Sequence, residues 1–261
     1  MEQRKCECLF GSAGVEKDSL TKQCRDCISN LDLSLHAKDK EFIYQEIEKI
    51  FKCFINDVTS AFDKDPAARS ISEILTSYPG IQAVLIYRVA HFLDSLGLPF
   101  VPRFLSHSAF VGTGIDIHPS AVIGDHFFID HGSGVVIGET AEIGENVTLY
   151  QNVTLGGVSL ERKKRHPTLK NNIIVGAGAK ILGPITIGNN VRIGANSVVT
   201  KDIPDDSVVV GVPGRILEQK HPQAMDQIEH LKHGILPDPI IDLIKSLETR
   251  LTAIEQKLPN K

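Results

Sequence analysis

Between residues 112 and 215 the apolar positions follow a period of six. Aliphatic side chains fall at Ile117, Ile123 and Ile129, then at Ile137, Ile143, Leu149 and Leu155, and after a gap at Val175, Ile181, Ile187, Ile193 and Val199. Four places after many of them comes a second small or aliphatic residue: Ala141, Val147, Val153, Ala179, Ile185, Val191, Ser197 and Ile203. An α-helix repeats every 3.6 residues and a simple strand every two, so neither accounts for the pattern. A fixed short period means stacked repeats, and a hexapeptide period means a parallel β-helix. Three hexads make one triangular coil, with each aliphatic pointing inward onto its neighbour a coil away.

The period fails in two places. At Asp130-His131-Gly132-Ser133-Gly134 two residues are inserted between hexads. Over 157–172 (GVSLERKKRHPTLKNN) the repeat disappears, which predicts an excursion loop. Irregularities on a rigid scaffold are where sites usually lie.

Helical spacing flanks the repeats. Ile43, Ile47, Ile50, Phe51, Phe54 and Val58 share one helix face, and Ile81, Val84, Leu85, Arg88, Val89 and Phe92 another. Asp65-Pro66 has the form of an N-cap followed by proline at the first helical position, while Pro99 and Pro102 mark a linker. After Pro237 and Pro239, an apolar stripe from Ile240 to Leu258 predicts a helix that packs on its own subunit or joins a coiled coil. The predicted class is α+β: an N-terminal helical domain, a left-handed parallel β-helix of hexapeptide repeats and a C-terminal helix. The expected divisions are a cysteine-bearing segment 1–36, a helical domain 37–110, the β-helix 111–216 and a helical tail 217–261.

Composition narrows the picture. Hydrophobic residues make up 42% and charged residues 23% of the 261, with a net charge of −4. That balance gives no reason to expect nucleic-acid or anionic-membrane binding. No stretch resembles a membrane span, and MEQRKCECLF lacks the apolar core of a secretion signal. Five cysteines, an odd number, do not read as a disulfide framework, so a reducing cytoplasm is expected. Cys6, Cys8, Cys24 and Cys27 have a spacing that could hold one zinc or could be reduced thiols, and Cys53 is expected to pack within a helix.

Several motifs appear in order: Asp65-Pro66-Ala67, Asp116-Ile117-His118-Pro119, Asp130-His131-Gly132-Ser133-Gly134, Gly138-Glu139-Thr140, Thr154-Leu155-Gly156-Gly157, Arg165-His166-Pro167, Gly176-Ala177-Gly178-Ala179-Lys180 and Gly211-Val212-Pro213-Gly214-Arg215. Over roughly residues 40–216 the chain resembles the serine acetyltransferases. The resemblance implies acetyl transfer from acetyl-CoA to the hydroxyl of L-serine, the first step of cysteine biosynthesis, with no tightly bound cofactor. His131 would be the general base, since an imidazole with pKa near 6.5 can take the hydroxyl proton as it attacks the thioester. Asp116 would orient His131. Asp65 and Asp130 would answer the ammonium of the amino acid. Arg165 would clamp its carboxylate, and His166 would be a second histidine at the substrate. Gly157, Ala177 and Ala195 would let backbone groups approach the pantetheine arm of CoA, and Arg215 would reach its nucleotide end. Arg162, Lys163 and Lys164 read as a solvated basic loop.

The same resemblance implies a homotrimer, or a dimer of trimers, with sites between subunits, and L-cysteine as a feedback inhibitor. Some family members insert a C-terminal Ile into O-acetylserine sulfhydrylase; this chain ends Leu258-Pro259-Asn260-Lys261 and lacks it. Two other enzyme readings remain open. One is a hexapeptide acetyltransferase for a different hydroxyl, of a sugar or of homoserine. The other is a zinc enzyme like the γ-class carbonic anhydrases, because His126 and His131 have the His-x4-His spacing of zinc ligands.

Overall fold

A computed structural model describes residues 39–219 and 239–255. Cys6, Cys8, Cys24 and Cys27, the connection 220–238 to the C-terminal helix and residues 256–261 lie outside the described residues. The chain divides into two compact units, Met1–Glu48 and Lys49–Lys261.

Among the described residues four helices precede the strands: α1 (Asp39–Lys64), α2 (Ile71–Ser77), α3 (Pro79–Ser95) and α4 (Val101–Thr113). Fifteen short described strands follow, from β1 (Asp116–Ile117) to β15 (Arg215–Gln219), and the last described element is α5 (Pro239–Glu255). The strands form three sheets, ordered β1-β4-β7-β10-β13, β2-β5-β8-β11 and β3-β6-β9-β12-β14-β15. Every third strand therefore shares a face, and the chain winds as a three-faced parallel β-helix. All twelve of the six-spaced aliphatics are buried, most completely. They stack in register: Ile117 on Ile137, Ile137 on Leu155, Leu155 on Ile181 and Ile181 on Val199.

Three local readings differ. The helix begins at its Ser70 cap and not at Pro66, because Ser70 and Glu73 supply the capping groups. Ser70 Oγ accepts from Glu73 N at 3.1 Å, and Glu73 Oε2 accepts from Arg69 N at 2.9 Å. Pro102 lies inside α4 and not in a linker, since proline is tolerated in a first helical turn. The excursion is also shorter than 157–172: Thr168–Leu169 is strand β8, with Leu169 stacked between Ile143 and Ile187.

At its far end the β-helix tightens. Ile203 bridges Ile187, 16 residues back. Strand β15 turns antiparallel onto β14 and covers that end of its sheet.

The helices dock on the first coil. Phe128 points outward from β3 and packs with Val58, Ala61, Ile74 and Ile81. Arg88, the polar member of the apolar α3 stripe, is buried against Asp57 of α1, with Nε–Oδ2 at 2.7 Å and Nη2–Oδ1 at 3.0 Å. Arg88 Nη2 also donates to Gly124 O at 2.9 Å, and Phe127 N donates to Asp57 Oδ1 at 2.9 Å. Cys53 lies in α1, where burial and a hydrogen bond to Asp125 push its thiol up to about 11. No described helix is long and apolar enough to cross a membrane.

Candidate active site

The inserted residues after β3 make an irregular corner. His131, Gly132 and Gly134 have φ of 58°, 83° and 75°. A Cβ on Gly132 would overlap Ile115, and one on Gly134 would overlap the Asn152 amide, so both positions require glycine. Gly134 N donates to Gly114 O at 2.8 Å, and Val135 N to Gly132 O at 3.0 Å. These bonds hold His131 outward, with an exposed imidazole. Asp116 follows the left-handed Gly114 cap of α4, and its N–H donates to Val135 O at 2.9 Å. The two residues therefore flank one corner, but no hydrogen bond or ion pair joins Asp116 to His131 among the described residues.

Asp65 sits between α1 and α2. Its Oδ1 accepts from Ala67 N at 2.8 Å, closing a turn, and its Oδ2 accepts from the Tyr78 hydroxyl. The carboxylate therefore caps no helix. That hydrogen bond pushes the Tyr78 phenol up to about 12, with Asp65, Glu73 and Asp130 adding negative charge nearby. Burial raises Tyr150, again with Asp130 and Asp65 close enough to contribute. Thus two carboxylates from distant segments converge beside two tyrosines. The sequence pattern offered no sign of Tyr78 or Tyr150.

A second cluster occupies the corner where β4 leads to β5. The excursion loop returns here, bringing Arg165 and His166 against Glu139 and Thr140, and Arg165 ion-pairs with Glu139. Thr140 Oγ1 accepts from Arg165 N at 3.0 Å and His166 N at 3.1 Å. His166 is buried, and its ring lies where a side chain on Gly138 would be, with a Gly157 Cβ position 3.2 Å from Nε2. Gly157 thus makes room for the histidine, in addition to the backbone approach expected of it. Burial, with Arg165 beside it, pushes the His166 pKa down. Lys164 does not dangle: it donates to Thr140 O at 2.7 Å and pairs with Glu142 at 3.0 Å. The Gly138-Glu139-Thr140 motif signalled this corner, although neither Glu139 nor Thr140 had been given a role.

The site residues divide between two edges of the prism. Asp130 and His131 share the edge after the β3 sheet with Ala177 and Ala195. Backbone bonds run along it, Asn152 N to Ser133 O, Gly178 N to Gln151 O and Asn196 N to Ala177 O, each at 2.8 Å. Gly157, Arg165 and His166 occupy the next edge, beyond the β4 sheet. Arg215 opens β15 at the far end and is exposed. His126 and His131 stand at opposite ends of β3. Among the described residues no group of three or more His, Cys, Asp or Glu is placed to hold a metal ion.

A family model described as bacterial transferase hexapeptide (six repeats) matches residues 166–201. A serine acetyltransferase of Synechococcus elongatus is 49% identical over 209 residues, covering 80% of this chain and 84% of the relative. The structure of Neisseria gonorrhoeae serine acetyltransferase in complex with serine matches with a TM-score of 0.65 at 38% identity, over 68% of this chain and 74% of that one. A serine acetyltransferase in complex with cysteine matches with a TM-score of 0.66 at 38% identity, over the same shares of the two chains. With this identity along most of its length and the same coiled architecture, the chain belongs to the serine acetyltransferase family.

Proposed function

We propose that the chain transfers the acetyl group of acetyl-CoA to the hydroxyl of L-serine, with His131 as general base. The observation that carries this reading is an acidic pair, Asp65 and Asp130, of which Asp130 is the residue next to the exposed His131, with a basic pair, Arg165 and His166, at the next edge. Asp65 and Asp130 lie within electrostatic reach of the same tyrosines and suit an ammonium group. Arg165, with His166 beside it, suits a carboxylate. A free amino acid presents both groups, whereas a sugar hydroxyl presents neither.

His131 takes the serine hydroxyl proton as the oxygen attacks the thioester carbonyl. The tetrahedral intermediate collapses with cleavage of the C–S bond, and the imidazolium returns the proton to the CoA thiolate. Because the nucleophile belongs to the substrate, no acyl-enzyme forms. Asp116 stabilises the imidazolium from across the corner.

His131 and Arg165 stand on different edges of one prism. The site is therefore completed in a trimer, where one edge of each subunit faces the other edge of its neighbour. CoA lies in the groove between them, along Ala177 and Ala195 on one side and Gly157 on the other, toward Arg215. L-cysteine has the same ammonium and carboxylate as serine and binds the same site as an inhibitor. A thiol-release assay with acetyl-CoA and L-serine tests the reading. His131→Ala should lower kcat by at least about 100-fold, within the usual contribution of a general base. Near-normal turnover in that variant would overturn the mechanism.

A further inference from the structure

The hydroxyl of Thr140 has one proton to give and two acceptor positions. Both acceptor positions are filled, by Arg165 N and His166 N. Its proton is therefore directed to its remaining neighbour, His166 Nδ1, at 2.9 Å. Thr140 N donates to that same nitrogen at 3.1 Å. A ring nitrogen that receives two hydrogen bonds carries no proton of its own, so neutral His166 holds its proton on Nε2. Protonating Nδ1 would set three donors against one another. The charged groups around the ring are Arg165 and Lys164 from its own loop and Glu139 from the facing corner, and Glu139 is taken up by Arg165. Burial and the two cations oppose an imidazolium there.

The Nε2 edge lies over Gly138 and Gly157. It has no hydrogen-bond partner among the described residues, and it is not among the buried atoms sealed from solvent.

We propose that Thr140 is a positioning residue that locks His166 as a fixed Nε2–H donor to an anionic oxygen. The two histidines then differ in kind: His131 moves a proton, and His166 only donates a hydrogen bond. This rests on the reading of the site as one for serine acetylation. The anionic oxygen is either the amino-acid carboxylate or the oxyanion that develops on the acetyl carbonyl, and both would be recognised by the same N–H.

The test is nitrogen NMR of full-length protein labelled with 15N-histidine, with His166 assigned by loss of its signals in His166→Gln. At pH 7.5 without substrate, the wild type should show a protonated Nε2 and an unprotonated Nδ1 for His166. Thr140→Val should give a mixture of the two tautomers, and Thr140→Ser should restore the wild-type pattern. In the serine assay Thr140→Val should lose roughly 10- to 100-fold in kcat/KM, as expected for a lost hydrogen bond near charge, with recovery in Thr140→Ser. A rise in KM points to the carboxylate, and a fall in kcat to the oxyanion. A wild-type His166 protonated on Nδ1, or an unchanged ring in Thr140→Val, would overturn the proposal. The tautomer measurement needs no turnover, so its failure is distinct from a failure of the serine reading.

Discussion

His118 and His166 share one arrangement two turns apart on the same edge. In each, Nδ1 accepts a backbone N–H two residues on or one coil away: Ser120 N to His118 and Thr140 N to His166, both at 3.1 Å. Burial, with Arg103 near His118 and Arg165 near His166, lowers both pKa values. In the unfolded chain these rings take up protons near pH 6.5, while in the folded chain they stay neutral to lower pH. The unfolded state then binds more protons, so stability falls as pH drops below about 6.5. Glu139, held below its ordinary value by Arg165, loses its contribution at still lower pH, in the same direction. Thermal melts should therefore show Tm falling from pH 7.5 to 5.5, with a shallower fall in His118→Asn. A Tm that rises over this range would contradict the assignment. At this scale the sequence made the Arg165-His166 pair visible as a motif. Thr140 and Tyr78 stayed hidden because their partners lie 26 and 13 residues away, across a coil and across a helix.

The repeating element explains what was legible and what was not. Inward aliphatics must recur at a fixed spacing to stack, so the period alone revealed the β-helix. The corners obey a different rule, set by backbone conformation. Along the edge after the β2 sheet, Asn146, Asn172, Asn190 and Asp206 all have φ near +57°, a region that asparagine and aspartate tolerate. Their side chains form a ladder: Asn146 Nδ2 to Asn172 Oδ1 at 2.9 Å, Asn172 Nδ2 to Asn190 Oδ1 at 3.1 Å, and Asn190 Nδ2 to Asp206 Oδ1 at 2.8 Å. Insertions and the tightened last coil space these residues unevenly, which conceals the ladder in the sequence. Asn172 both donates and accepts, so Asn172→Ala breaks two bonds and leaves two amides short of a partner. The expected cost is about 2–4 kcal/mol, read by denaturant unfolding. A change within about 0.5 kcal/mol, the range of an ordinary surface substitution, would show the ladder to be idle.

At the scale of the whole molecule, the proposed site residues of one chain fall on two edges of the β-helix. Asp130 and His131 stand on one edge of the prism and Arg165 and His166 on the next, fixed there by coil geometry. The sequence reading could name these residues from their motifs, but their division between edges follows only from which strands share a face. The buried Arg88–Asp57 pair, with Phe127 N on Asp57 and Gly124 O on Arg88, ties the helices to the first coil and so carries Asp65 to Asp130. On the proposed trimer, activity is a property of the assembly. The most direct measurement is complementation: co-express His131→Ala and Arg165→Ala chains, purify mixed assemblies and assay them at subsaturating serine. Each variant alone should be severely impaired. Random mixed trimers should regain about a quarter of wild-type activity, the fraction of interfaces that join an intact His131 edge to an intact Arg165 edge. Mixed assemblies no more active than the single variants would show that each site lies within one chain, and would contradict the account.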